Sequence, residues 1–359
     1  MTNASSIDLE EIQSEEEDYN SSPPDFDIST YPADFTLEGL DAKLKANEII
    51  VPDFQRQFVW NQDQASKLVE SFLVGLPVPA IFLYSEYKTQ NFLLIDGQQR
   101  LKSISYFFDG YFGKEVKGKK PIFRLTGLSE KSRWYNKTFA EMEDSDKKKL
   151  KNRVLRAFII QQLDPADDTS IYHVFERLNT GGTLLNNQEI RNCVYFGSFN
   201  DLLKNELNLN KDWRLILGRN KPDHRMKDLE LILRLLSLTD INKYQKPLKD
   251  HMSKFMKRNR DISEKELNEF SSKFNRTCRL VVQSIGEKPF HIKKGINSAV
   301  FDCVMAAFYN NPSKIPKDVV QRYKRLVVEL DKEKLITSST TNDEIVKKRF
   351  KVTNQILFS

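Results

Sequence analysis

Five consecutive residues, Asp96-Gly97-Gln98-Gln99-Arg100, gather in the least space the side chains that phosphate chemistry uses. They follow the apolar run 92–95 and precede Leu101, Ile104, Phe107 and Phe108 at helical spacing, so the pattern reads as strand, tight turn, helix. Such a turn sets free backbone N–H groups and the positive end of a helix dipole beside a glycine that lets an anion approach. Arg100 falls in the first helical turn, where a cation has no capping role and a guanidinium suits phosphate oxygens. Gln98 and Gln99 can hydrogen-bond a nucleotide or orient a water, and Asp96 can hold Mg²⁺ or act as a general base. A structural reading stands beside this one: Asp96 caps the helix, Gly97 makes the turn, and the rest is surface. Spacing alone leaves the two open.

Two further segments carry similar potential. In Phe54-Gln55-Arg56-Gln57-Phe58-Val59-Trp60 an arginine is surrounded by aromatics just ahead of a helix, either aimed at a ligand or packed on Trp60 through a cation–π contact. In Phe175-Glu176-Arg177-Leu178-Asn179-Thr180-Gly181-Gly182-Thr183 two adjacent glycines permit close approach to a ligand, and Asn179 and Thr180 offer donors. A helix C-cap is the plainer reading of that segment. It continues to Gln188-Glu189-Ile190-Arg191-Asn192.

The elements that must position these segments are legible in outline. A short helix is expected over 36–47, with Thr36 as its cap, then an extended run at 49–52. Asn61 opens a helix whose Leu68, Val69, Phe72 and Leu73 form an apolar stripe ended by Gly75. Residues 80–84 and 92–95 read as paired strands, and 122–125 and 154–161 as further strands of one sheet. Helices are expected over 172–178, from Asn186 or Asn187 onward, and over 226–238, 264–285, 297–309 and 317–331. The fold class is therefore α+β, a mixed sheet with helices followed by a mostly helical domain. Its divisions are an acidic, disordered leader at 1–34, a first domain at 35–200 and a helical domain at 201–359.

Composition excludes several classes. With 39% hydrophobic residues and 24 Phe the chain has ample material for packed cores, and 13 Gly with 13 Pro are too few for a collagenous chain. Cys193, Cys278 and Cys303 lie too far apart for a zinc pair, and their odd number argues against a disulfide framework. Neither a membrane span nor a signal peptide is visible, which points to the cytoplasm. The first 42 residues hold 12 Asp and Glu and no Lys or Arg, leaving 56 basic against 38 acidic residues, a net +18, in the remainder. Such an excess attracts polyanions, nucleic acid among them, wherever the cations share a face. Candidate clusters are Lys117, Lys119 and Lys120; Lys147 to Lys149 with Lys151 and Arg153; Lys257, Arg258 and Arg260; and Lys347, Lys348, Arg349 and Lys351. The leader reads as a solubilising extension, with competition against nucleic acid as the sharper alternative.

Together the three motif segments resemble the N-terminal domain family of GmrSD-type, modification-dependent restriction proteins, within the ParB/sulfiredoxin-like superfamily. The resemblance rests on the aromatic-Gln-Arg element ending in Val59-Trp60, on Asp96 to Arg100, and on Arg177 to Gly182, and covers roughly residues 35 to 200. It implies a ParB/sulfiredoxin-like nucleotide-binding domain that hydrolyses an NTP, with Mg²⁺ as the expected companion ion, and couples this to DNA recognition in defence against foreign or modified DNA. Carried over by position, Asp96, Gln98, Gln99 and Arg100 form the catalytic core, with Gln55, Arg56, Gly97 and Asn179 binding nucleotide. The family's full-length restriction proteins carry a His-Asn-His nuclease. Here His173, His224, His251 and His291 stand in no such context, so a nuclease or other effector is expected on a separate polypeptide. The alternatives are a DNA-binding regulatory module without turnover and, third, a nuclease subunit.

Overall fold

The computed structural model describes residues 7, 27–51, 58–85, 91–113, 118, 120–163, 170–178, 186–337 and 340–359, the side chains of Tyr172, His173 and Glu176 excepted. The chain divides into two compact units, one spanning 24–185 and one spanning 186–359 together with 1–23. The α+β class holds: a mixed sheet lies in the first unit and the second is helical.

The sheet has five strands, β1 (Ile28–Thr36), β2 (Ile49–Ile50), β3 (Ile81–Ser85), β4 (Phe92–Asp96) and β5 (Val154–Gln162), in the order β1-β5-β3-β4-β2. β1 runs antiparallel to β5, β5 parallel to β3, β3 antiparallel to β4, and β4 parallel to β2. Residues 28–34, grouped by composition with the acidic leader, thus belong to an edge strand. Pro32 and Asp34 hide it from pattern reading, yet an edge tolerates proline, and Asp34 is held by Arg156 of β5 at 2.8 Å.

The helices of this unit are α1 (Leu37–Lys45), α2 (Gln62–Val74), α3 (Gln98–Asp109), α4 (Asp144–Lys151) and α5 (Ser170–Leu178). Thr36 caps α1 by accepting from the Gly39 N–H, and Asn61 forms a capping box with Gln64 at the start of α2. The apolar faces of α2 and α3 bury Val69, Phe72, Leu73, Leu101, Ile104 and Phe107 against Ile81, Leu83 and Leu94 of the sheet. Residues 122–125, expected as a strand, form only an isolated bridge, Tyr111 to Ile122. Phe123 nevertheless packs on Phe107 at 5.2 Å between ring centroids, and Leu125 and Trp134 join the same core.

The second unit contains α6 (Asn187–Val194), α7 (Ser198–Asn205), α8 (Lys211–Leu217), α9 (Lys227–Leu238), α10 (Leu248–Arg258), α11 (Glu264–Ile285), α12 (Ser298–Asn310), α13 (Val319–Lys332) and α14 (Asp343–Phe358). Its boundary falls at 185/186 rather than near 200, because α6 packs on α9 and α10 and buries Ile190, Cys193 and Val194 there. α12 is apolar almost all round; its Asp302 is 1% exposed and meets Arg234 of α9 at 2.6 Å. A second buried pair joins Arg214 of α8 to Asp228 of α9 at 3.0 Å. Ile7 is buried against this unit, its N–H donating to Asp223 Oδ2 at 2.6 Å and its carbonyl accepting from Lys227 Nζ at 3.2 Å. The three cysteines are buried and free, and among the described residues no helix is long and apolar enough to cross a membrane.

Candidate functional site

β4 delivers Asp96 to the end of the sheet, and the chain turns sharply at Gly97 into α3. Gly97 sits at φ 107°, and a Cβ there would stand 2.3 Å from Ile81 Cγ2, so both backbone conformation and space demand glycine. Asp96 does not cap the helix. No side-chain hydrogen bond closes the N-terminus of α3 and no acidic residue lies in its first turn, so its leading N–H groups are presented without a built-in anion.

The Asp96 carboxylate instead meets Arg100 Nη2 at 2.8 Å, and the same nitrogen donates to the Ala80 carbonyl at 3.1 Å. Arg100 is 17% exposed and Asp96 45% exposed, so the pair lies at a surface with its cation tucked inward. Among the described residues Asp96 Oδ1 takes no hydrogen bond, and the buried Arg100 Nε has no partner.

The two glutamines separate. Gln99 Oε1 accepts from the N–H groups of Val59 and Trp60 at 3.0 and 3.2 Å, tying the second motif segment to the turn. Phe58 completes that junction, edge-on to Tyr106 of α3 at 5.0 Å and to Phe112 at 5.4 Å. Burial raises the Tyr106 hydroxyl above its usual pKa and keeps the ring a neutral packing partner. Gln98 is 7% exposed, and its amide makes no hydrogen bond among the described residues. The third segment approaches through α5, which packs against β4 and ends with Arg177 exposed.

The structure thus brings together Asp96, Gly97, Gln98, Gln99 and Arg100 with Phe58 to Trp60. Gln55, Arg56 and Asn179 lie outside the described residues, as do Gly181, Gly182, Lys117 and Lys119. The stretch after the third motif belongs to the helical unit. Glu189 serves a capping box with Asn186, while Arg191 Nε and Gln188 Oε1 bond each other at 3.0 Å in the buried interior of the helical unit. Burial raises the Glu189 carboxyl, against the opposing Asn186 N–H and Arg225. Two contributors escaped the sequence: the Ala80 carbonyl, which no residue type announces, and Ile81, whose contact with Gly97 follows from the pairing of β3 with β4.

The basic clusters are altered by burial. Arg349 is fully buried and donates to the Leu335 and Thr340 carbonyls at 3.0 and 3.1 Å, leaving Lys347, Lys348 and Lys351 as the exposed members. Lys147 and Lys151 pair with Asp144 and Glu38 at 3.1 and 2.8 Å. Among the described residues no group of three or more His, Cys, Asp or Glu side chains is arranged to hold a metal.

The chain matches no curated protein. Among solved structures, a Pnob8-like ParB-N domain in its C2221 form aligns with 92% of this chain and 98% of its own at 10% identity and a TM-score of 0.22, so the fold described above rests on its own strand order. Residues 38–196, which contain the turn, its tether at Val59 and Trp60 and the helix α5, match the N-terminal domain of the GmrSD restriction endonuclease.

Proposed function

We propose that this chain binds a nucleoside triphosphate at the Asp96–Arg100 turn, hydrolyses it, and couples that turnover to DNA recognition in defence against foreign or modified DNA. The observation that carries the reading is the uncapped N-terminus of α3, entered through a glycine that nothing else can replace. The match of residues 38–196 to the N-terminal domain of a restriction endonuclease supports the link to DNA.

In this mechanism the leading N–H groups of α3 take phosphate oxygens. Arg100, held four residues from Asp96 in the free protein, exchanges part of that pairing for the phosphoryl group whose charge grows in the transition state. Gln98 orients the attacking water, since Gln99 is committed to Val59 and Trp60. A Mg²⁺ ion fits the donors present, because Asp96 offers a half-exposed carboxylate with one unengaged oxygen, and Mg²⁺ is commonly held by one carboxylate together with substrate phosphates. When bound it neutralises phosphate charge.

Phosphate release from each ribonucleoside triphosphate with Mg²⁺, with and without DNA, tests the proposal on the unaltered chain and on Arg100→Ala. Release that vanishes in the variant while its melting transition persists is the expected result. A second reading has its own observation: Arg100 ties Asp96 to the Ala80 carbonyl within the fold, as a purely structural residue would. It makes the chain a DNA-binding module without turnover, and it prevails when no NTP is hydrolysed and none shifts the melting temperature.

A further inference from the structure

A cavity of about 620 Å³ opens inside the helical unit, where α9, α10, α11 and α12 meet. Its size is that of a small-molecule site, and it contains none of the motif residues. At its base His251 Nε2 lies 3.0 Å from the Ser237 carbonyl, an arrangement that fixes the ring proton on Nε2 and leaves Nδ1 as an acceptor. Phe255, Phe270 and Tyr309 supply aromatic lining, with Phe255 and Phe270 edge to face at 6.3 Å. Burial, with Glu269 adding to it, pushes the Tyr309 hydroxyl up to about 12, so it stays a neutral donor.

The charges around this cavity are unevenly matched. Lys243 is neutralised by Asp240 at 2.9 Å and Lys273 by Glu269 at 2.5 Å, while Glu266 is engaged by the Ser263 hydroxyl at 2.6 Å. That leaves Lys246, Lys254 and Arg258, all exposed, with no carboxylate at ion-pair distance among the described residues, against two lining carboxylates without a paired cation, Asp250 and Glu266. Arg258 lies over the Phe255 ring at 5.5 Å, which holds its guanidinium at the aromatic lining. Arg258 and Lys254 both act electrostatically on His251, so their field reaches into the cavity.

Flat apolar faces, a donor and an acceptor at the base, and surplus cations at the mouth are the complement of a nucleoside phosphate. A heterocyclic base stacks on aromatic side chains with a gain of about 1–3 kcal/mol, and phosphate oxygens take charge-assisted bonds from Lys and Arg. We propose that this cavity is a second site, for a nucleoside monophosphate group, with the base among Phe255, Phe270 and Tyr309 and the phosphate at Lys246, Lys254 and Arg258. The group belongs either to a free nucleotide or to a nucleotide turned out of a DNA strand. The site stands independently of turnover at Asp96–Arg100.

Isothermal titration of the full chain with deoxynucleoside monophosphates, and separately with a short single-stranded oligodeoxynucleotide, tests this on Lys254→Ala/Arg258→Ala. Both side chains are exposed, so the melting transition is expected to stay in place. Loss of two charge-assisted contacts is expected to weaken binding at least about tenfold. Two comparators accompany it: Lys347→Ala/Lys348→Ala, which removes cations outside the cavity, and Arg100→Ala, which disables the turn. Both are expected to retain binding. Weakening with the monophosphates assigns a free nucleotide; weakening with the oligonucleotide alone assigns a strand. No binding to the unaltered chain, no weakening in the cavity variant, or equal weakening at Lys347 and Lys348 each overturns the proposal.

Discussion

At the scale of single residues, the turn joins two demands that usually conflict, a strained backbone and close packing. Gly97 meets both, and Gly97→Ala adds a methyl 2.3 Å from Ile81 Cγ2 at a φ of 107°. The cost is expected to reach about 2 kcal/mol or more, read as a lower denaturant midpoint of the first unit. Combining it with Ile81→Ala should not restore stability, since the backbone strain remains and a cavity is added. The glutamines provide a separate test of roles. Gln98→Ala is expected to lower NTP turnover by about a hundredfold with little change in melting, as loss of a positioned hydrogen-bonding group does. Gln99→Ala is expected to destabilise by about 1–2 kcal/mol, because two backbone N–H groups lose their acceptor. The reverse assignment of effects would move the catalytic role to Gln99.

At the scale of elements, what was legible was local. The capping box at Asn61, the left-handed stop at Gly75, the turn at Gly97 and the stripes of α9, α11, α12 and α13 are written within short windows, and the structure places helices and strands there. Asp96 and Arg100 could also have been paired from their i,i+4 spacing. What stayed hidden depends on distant partners. β1 has a poor strand pattern and exists because β5 pairs with it, and Arg349 reads as one of four surface cations until Leu335 and Thr340 enclose it. Buried polar groups in the helical unit set two expectations. Asp302→Ala removes the bidentate partner of the buried Arg234, leaving Glu230 at 4.0 Å, and should cost about 3–5 kcal/mol, measured by chemical denaturation of that unit. Burial, assisted by Arg258 and Lys254 and opposed by the Ser237 carbonyl and Asp343, holds the His251 imidazole below its usual 6.5. The unfolded chain therefore binds a proton that the folded unit resists, so this contribution is complete above the unfolded value and is lost as pH falls from there through the folded one. Melting temperatures recorded from about pH 7.5 down to 5 should decline less steeply in His251→Gln, and parallel slopes would contradict the assignment.

At the scale of the whole molecule, charge is divided along the chain, with 12 acidic and no basic residues in the first 42. Ile7 is fastened to the helical unit through Asp223 and Lys227. Removing residues 1–26 is expected to tighten DNA binding and steepen its dependence on salt; unchanged binding would leave the segment a solubilising extension. The strand order carries a consequence for synthesis. β1 is made first, but its sheet partner spans Val154–Gln162, and β5 also links β1 to β3, β4 and β2. On the ribosome the opening strand must wait, both edges unpaired, until well over a hundred further residues have emerged. A chain halted before Val154 would leave that strand without its place in the sheet, so any fragment meant to carry the Asp96–Arg100 turn should extend through β5.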